Sequence, residues 1–524
     1  MRRDNGAGAV VSSRSRVFRP CLTCRRRKIS CDKAKPKCKR CHQTGYQCEG
    51  YGEERSFVYV VPTKISTTRT SDGSTDEGNT KKITLKSSRQ VPLQSLTPSI
   101  HSVSANRIQV LSYFLDSYLP GRPAHPREDQ TALTWIRSWP LSLGKWNFLD
   151  MSLSALSLAY IGDMHQNQTL LHQGERCYDE ALMRMRARLS QNSIDEGVLA
   201  ACMSMSIYEL FHTTGNSPQG WMFHVKGACH LLRLRGPPSE NSPLDMNLYR
   251  RIRAAALWDS YGSGKPTFLA GLEWCGLSDM PYDRLLDILI RLPSLLAKAD
   301  QIESTSKDVD AIRAAQELLG KCHALRDELI FWYAGFQSEE SGPLFYLELE
   351  ERHPYLDPDS DLQDVFPESV TFQNAYIAQI LLLYWYGEVV VHSIMSHMHR
   401  FTQKNTQNVD NTATATPPEQ QVTGDVIRDV DTVGEHFASK ICQAMAGCGR
   451  NCLQGYGFQI ALVPLWAAQQ FFFQRSPRKY KWCQTVLVNF STKGFVLAQS
   501  LGRLALRQYP GRKIEESLPA DEVD

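Results

Sequence analysis

The chain of 524 residues has little that would take it into or across a membrane. Its N-terminus is polar, so no secretory leader is expected. No apolar run reads as a bilayer span. The best candidate, Ile377 to Val391, is broken by Gln379, Gly387 and Glu388 and reads as a buried core helix of a soluble protein. Catalytic signatures are missing as well: neither an H-E-x-x-H helix nor a G-x-S-x-G elbow occurs. Gly262-Ser-Gly-Lys265 invites a phosphate-loop reading, but Asp259 stands where the first glycine belongs and Pro266 replaces the Ser or Thr. The chain is not expected to be an enzyme. Strand-like alternation is rare, and no fixed internal repeat survives.

What the sequence does have is an ordered run of cysteines, CLTCRRRKISCDKAKPKCKRCHQTGYQC, from Cys21 to Cys48. Cys21, Cys24, Cys31, Cys38, Cys41 and Cys48 follow C-x2-C-x6-C-x6-C-x2-C-x6-C, two similar halves with a close pair and a third thiol in each. A C-x2-C turn can aim two thiolates at one zinc, and a structural zinc takes four ligands. Six thiolates serve two zinc ions only if two sulfurs bridge. The half-repeat points to the first cysteine of each half. One ion would take Cys21, Cys24, Cys31 and Cys38, the other Cys38, Cys41, Cys48 and Cys21. Such a cluster carries about −2. Arg25, Arg26, Arg27, Lys28, Lys33, Lys35, Lys37, Lys39 and Arg40 offset that charge and make the segment attractive to phosphate. A disulfide knot would suit a small secreted protein, and a redox C-x-x-C needs one pair rather than six ordered thiols.

Charge is uneven. Residues 1–50 carry 14 Lys or Arg against 3 Asp or Glu, whereas the remainder has a net charge of −7. A basic head on a mildly acidic body places nucleic-acid contact at the N-terminus only. Nine further cysteines, from Cys177 to Cys483, read as reduced and buried. Cys442, Cys448 and Cys452 lack a paired spacing and a fourth ligand for another zinc. His392, His397 and His399 near a helix end read as solvated surface residues rather than metal ligands.

The cysteine stretch resembles the fungal zinc binuclear cluster, the DNA-binding module of a class of fungal transcription regulators. The resemblance rests on the cysteine spacing, the basic run after Cys24 and Pro36 between the halves. It implies two zinc ions, a nuclear location and double-stranded DNA as partner. It places Lys28 at the position that contacts a CGG-type triplet in the major groove, with Arg27 beside it. Some relatives carry a lysine where this chain has Ser30, which removes one phosphate contact.

From about residue 104 the apolar period is helical, with expected helices near 169–190, 195–213, 219–235, 244–260, 282–298, 307–336, 369–400, 425–450, 458–474 and 480–507. In Trp221 to Pro237, Trp221, Val225, Ala228 and Leu232 form one stripe. Gly227 would admit a neighbouring helix, and Gly236-Pro237 ends the helix. The W-x2-H-x2-G-A…R-G-P arrangement resembles the fungal-specific transcription factor regulatory domain, supported by Leu381 to Trp385 and Pro464-Leu-Trp-Ala-Ala. His224 in that helix reads as a hydrogen-bonded core histidine rather than a pocket residue.

The expected fold is therefore a small zinc-stapled DNA-binding domain (21–48) and a large all-α regulatory domain (104–508), joined by a disordered linker (49–103). A disordered basic tail (1–20), a disordered loop (402–423) and a C-terminal tail (509–524) complete the map. Pro62, Pro92 and Pro98 forbid a linker coiled coil, so a homodimer would not form through one. Residues 343–369 hold eight acidic side chains against Arg352, with Phe345, Tyr346, Tyr355 and Phe366 among them. Such alternation can act as a transcriptional activation segment, but the residues read rather as a surface loop leading into the 369–400 helix. The function expected is a sequence-specific RNA polymerase II transcription regulator. Its helical domain would answer to co-regulators, the transcription machinery or a small-molecule effector. The rival is a helical metabolite-binding or enzymatic scaffold whose zinc module mediates protein contacts.

Overall fold

The structure, a computed structural model, describes residues 21–48 apart from 28, 30, 33, 35 and 36, and most of 103–503. Residues 122–126, 128–133, 192–193, 213–218, 240–241, 306–307, 410–416, 451–452 and 474 fall outside it. The expected basic tail, the linker up to residue 102 and the C-terminal tail also lie outside the described residues. The chain divides into two compact units, Met1–Gln90 and Val91–Asp524.

The first unit holds two short helices, α1 (Leu22–Arg26) and α2 (Lys39–Gln43), each starting one residue after the first cysteine of a half-repeat. Its interior is cysteine: Cys21, Cys24, Cys38 and Cys41 are fully buried, with Ile29 packed against them.

The second unit is helical because its apolar residues recur with helical spacing and its helix starts are capped. The N-terminal part comprises α3 (Val103–Tyr118), α4 (Thr134–Arg137), α5 (Trp139–Ser142), α6 (Asn147–Met164) and α7 (Gln168–Leu189). It continues through α8 (Glu196–Phe211), α9 (Gln219–Arg235) and α10 (Pro243–Ser263). Asn167, Asp195 and Ser242 accept backbone N–H bonds at the starts of α7, α8 and α10, and Pro243 fills a first-turn position that needs no donor. In α8 every residue from Gly197 to Phe211 is buried. A helix apolar all round belongs in the middle of a bundle, and α6 and α9 flank it.

The C-terminal part follows with α11 (Pro281–Leu289), α12 (Leu292–Ser304), α13 (Val309–Glu339), α14 (Ala375–Val409) and α15 (Pro417–Gln443). It ends with α16 (Met445–Cys448), α17 (Gln454–Phe472), α18 (Pro477–Ser491) and α19 (Val496–Arg503). Its axis is α14, buried at every residue from Ala375 to Ser396 and wrapped by α11, α12, α13, α15 and α17. The stretch Ala375–Thr406 is long and apolar enough to cross a bilayer, yet its most apolar part is buried inside the body. It is a core helix.

Several expectations need correction. The body is helical as expected, with one small ribbon that was not: β1 (Phe345–Leu349) and β2 (Glu368–Phe372) pair antiparallel, Phe345 opposite Phe372 and Leu349 opposite Glu368. Arg450 binds Glu348 at 2.7 Å and Glu350 at 2.9 Å along this ribbon. Residues 343–369 are thus more than a surface loop, for Tyr355 and Phe366 are buried while Tyr346 stays exposed. The loop expected over 402–423 is shorter, since α14 runs on to Val409 and α15 starts at Pro417. Polar composition there did not stop the helices. The helix expected over 282–298 is two, because Pro293 cannot continue α11 and instead opens α12. The one expected over 480–507 breaks at Gly494, where φ is +91°. In α9 the stripe Trp221, Val225, Ala228 and Leu232 is buried and Gly236, at φ +94°, ends the helix. Gly227, however, faces open space and admits no neighbour.

Candidate metal centre

The two halves of the cysteine module repeat one local geometry at an offset of 17 residues. In each, the second cysteine donates its backbone N–H to the first: Cys24 to Cys21 Sγ at 3.3 Å, Cys41 to Cys38 Sγ at 3.2 Å. The first cysteine donates to the third: Cys21 to Cys31 Sγ and Cys38 to Cys48 Sγ, both at 3.4 Å. Backbone donors aimed at sulfur favour its thiolate form. Beyond each helix the chain turns back by matching bonds, Ile29 N–H to Cys24 O and Tyr46 N–H to Cys41 O.

This geometry converges six sulfurs. Cys21 and Cys24 lie 3.6 Å from Cys38, and the same two lie 3.7 and 3.6 Å from Cys41. Two overlapping foursomes result, Cys21–Cys24–Cys31–Cys38 and Cys21–Cys38–Cys41–Cys48, with the sulfurs of each within 4.8 Å of one another. Four sulfurs at about 2.3 Å from a tetrahedral zinc are about 3.8 Å apart, so the donor set fits a thiophilic divalent ion. Burial, then the neighbouring thiols, pushes Cys24 far above the ordinary thiol range, and burial likewise raises Cys21, Cys38 and Cys41. Thiols crowded in this way become thiolates together only when cations take their protons' place.

Three contacts that the sequence did not announce tie the halves together. Thr23 Oγ1 donates to the Gln47 carbonyl at 3.0 Å. Asp32 accepts the first backbone N–H groups of α2, from Lys39 and Arg40, at 3.1 Å each. The Arg40 amide, seconded by that of Lys39, holds the Asp32 carboxyl below the usual range, as expected of an anion at a helix start. Arg27 lies over the Tyr46 ring at 3.5 Å and its Nη1 reaches Thr44 Oγ1 at 3.3 Å. The aligned position in the first half is Ile29, so only a comparison of the halves, residue by residue, would have singled out Tyr46.

Of the cations expected to meet phosphate, Lys37, Lys39 and Arg40 are exposed around the start of α2, and Arg26 is exposed on α1. Arg27 is half-buried on Tyr46. Lys28, Lys33 and Lys35 lie outside the described residues, as does the side chain of Arg25.

The body's candidates fall into place as structure. The Tyr178 hydroxyl donates to Glu209 Oε1 at 2.7 Å and lies 2.6 Å from Nε2 of His224, whose pKa burial lowers to about 4. His392 is not a surface residue: it is buried, with Nδ1 on the Glu388 carbonyl at 2.8 Å. His397 and His399 are half-buried. Gly264, at φ +66°, caps α10, which explains the glycine without a phosphate. Cys442 meets Cys483, Sγ to Sγ 3.4 Å, in the core, and Cys452 lies outside the described residues.

Comparison with known proteins agrees with this division. Residues 19–56 match the fungal Zn(2)-Cys(6) binuclear cluster domain, and residues 140–277 the fungal specific transcription factor domain. An uncharacterized protein of Emericella nidulans is 26% identical over 200 residues, 36% of this chain and 42% of that protein. An uncharacterized transcriptional regulatory protein of Schizosaccharomyces pombe is 31% identical over 146 residues, 27% of this chain and 19% of that one. The aspercryptin biosynthesis cluster-specific transcription regulator of Emericella nidulans is 49% identical over 41 residues, 8% of this chain and 6% of its own. The matched stretches span less than half the length of these relatives. No solved structure matches the chain. The chain thus carries matches to two domains of fungal transcription regulators, a six-cysteine cluster domain at its N-terminus and a transcription factor domain within its helical body.

Proposed function

We propose that the protein is a nuclear, sequence-specific DNA-binding regulator of RNA polymerase II transcription. Its cysteine module holds two zinc ions, with Cys21 and Cys38 shared between them. The observation that carries this reading is the pair of overlapping four-sulfur groups beside exposed cations on α1 and α2. Zinc supplies the staple that a module without an apolar core needs. Arg26, Lys37, Lys39 and Arg40 supply charge for phosphate, joined by Arg25, Lys33 and Lys35. Lys28 reads a CGG-like triplet, with Arg27 supporting it from the Tyr46 ring. The body, with a net charge of −7 beyond residue 50, does not meet DNA. It regulates output through co-regulators, the transcription machinery or an effector.

The test has two parts. Native mass spectrometry of the full chain should count two zinc ions; one ion would sink the shared-ligand arrangement. Titration of zinc-loaded Lys28→Ala and Arg25→Ala against a selected site and a scrambled duplex, at several salt concentrations, assigns the cations. Lys28→Ala should lose about 1–3 kcal/mol of discrimination. Arg25→Ala should weaken both duplexes alike and lower the salt slope by about one. A full specificity ratio in Lys28→Ala would remove that residue as the base reader.

A further inference from the structure

Helix α10 buries three arginines, Arg250, Arg251 and Arg253, none more than 8% exposed. Two have carboxylates from α11. Arg250 grips Asp283 through Nε and Nη2 at 2.7–3.0 Å, and Arg253 binds Asp287. Positions 250 and 253 lie about 60° apart around a helix, while 251 is turned about 100° from 250. Arg251 therefore points away from α11's acids. Its Nε and Nη2 are buried with no partner among the described residues.

Arg251 lines a cavity of about 20 Å³ together with Trp258, Tyr282, Gln379, Tyr456 and Gln459. Among the described residues no carboxylate lines it. Trp258, two turns along the same face of α10, has a buried Nε1–H with no partner among the described residues. Tyr282 already accepts from Gln379 Nε2 at 3.0 Å, so its own hydroxyl proton is available to donate. Gln379 Oε1 is the opposing acceptor, also buried and unpartnered. Burial keeps the phenols of Tyr118 and Tyr282 protonated, so neither neutralises the guanidinium. Burial pulls Arg251 itself below its ordinary value, but a guanidinium starts so high that it stays charged.

A buried, permanently charged group without a counter-ion is costly, and here donors outnumber acceptors around the cavity beside it. The space accommodates one or two atoms, which excludes nucleotides and ordinary metabolites. A water would satisfy donors but bring no charge. We propose that this cavity binds a single halide-sized anion, chloride being the commonest, held by Nε and Nη2 of Arg251 and Nε1 of Trp258. The lining comes from α4, α10, α11, α14 and α17, so the ion ties together helices from both ends of the body. Binding to the folded state alone raises stability in a saturable way.

The experiment follows thermal unfolding of the full, zinc-loaded chain by far-ultraviolet circular dichroism, replacing gluconate by chloride or bromide at constant ionic strength. Gluconate is too large for the cavity. The expected result is a saturable rise in Tm with either halide, absent in Arg251→Met. In Trp258→Phe the midpoint should move to about tenfold higher halide. A wild-type Tm indifferent to the exchange would leave water as the occupant and overturn the proposal, as would an equal rise in Arg251→Met. Should Arg251→Met fail to fold, Trp258→Phe decides: a shifted midpoint supports the site and an unchanged one removes it.

Discussion

The two units solve the same problem with different chemistry. The cysteine module buries sulfur and almost nothing else, whereas the body buries α8 and α14 on nearly every side. A segment of 28 residues cannot gather enough apolar area to offset its chain entropy, so its stability resides in ligand bonds. The body depends on packed side chains, with buried charge met by opposite charge at Arg250 and Asp283. One unit should therefore answer to metal and the other to solvent, and the largest test separates them outright. Strong chelation should abolish the dispersed amide signals of residues 21–48 and DNA binding with them, while the body's helical signal and Tm stay put. A module that keeps its dispersion after chelation would show that something other than metal holds it.

Within the module the contrast sharpens between shared and terminal sulfurs. Cys38 belongs to both foursomes, Cys31 to one. Cys38→Ser should cost both zinc ions and the fold of the module. Cys31→Ser leaves Cys21, Cys38, Cys41 and Cys48 together and should retain about one ion, since that foursome is a complete structural site. Equal zinc loss in the two variants, by native mass spectrometry, would mean the sulfurs act as one indivisible set.

How far each unit could be read from sequence follows the same divide. Spacing alone indicates which sulfurs meet, because a C-x2-C turn is local and the halves repeat. The helices of the body were legible where a clean stripe or a cap marks them, as in α7, α8 and α10. They were misjudged where one backbone feature decides, such as Pro293 between α11 and α12 or Gly494 between α18 and α19. The β1–β2 ribbon was missed because β1 is a five-residue run at the start of an acidic segment, and Arg450, which binds Glu348 and Glu350, lies about a hundred residues away. Asp32 and Tyr46 carry no motif; their roles exist only once the halves fold against each other.

The body's dependence on solvent gives a third test, through pH. Burial lowers His224, His353, His392 and His397 to about 4. Unfolded histidines take up protons near pH 6.5, and these four do so in the folded state only near 4. Their contribution is therefore full above pH 6.5 and is lost as pH falls toward 4. Glu388 opposes them: burial raises it to about 7, so its contribution grows as pH falls from 7 toward the ordinary carboxylate range. Asp163 and Asp259, also raised by burial, act with Glu388, whereas His323, His399 and His436, also lowered by burial, act with the four histidines. The histidines outnumber the carboxylates and predict a lower urea midpoint for the body at pH 5 than at pH 7. Glu388→Gln should steepen that fall, because it deletes one of the opposing groups. A midpoint that rises on acidification would mean the histidines are solvated in the folded state.

The smallest effect belongs to Arg27, and it decides whether that residue is part of the fold or part of the DNA surface. Its guanidinium lies over Tyr46 at 3.5 Å and touches Thr44, both in the second half, although Arg27 itself follows α1 in the first. Tyr46 is about half exposed, so the cation–π contact is worth roughly 0.5–1 kcal/mol rather than the larger values of desolvated pairs. The loss can be read as zinc retention against a competing chelator, which falls slightly when the folded module is weakened. Arg27→Ala and Tyr46→Ala should weaken retention equally, and the double variant should be no worse than either single one. On DNA the two should part company. Arg27→Ala removes a charge as well as a clamp, so it should lower affinity for every duplex and flatten the salt slope, whereas Tyr46→Ala should leave the slope unchanged. If Tyr46→Ala alters neither retention nor affinity, the stacked arrangement contributes nothing and Arg27 acts as a solvated phosphate contact alone.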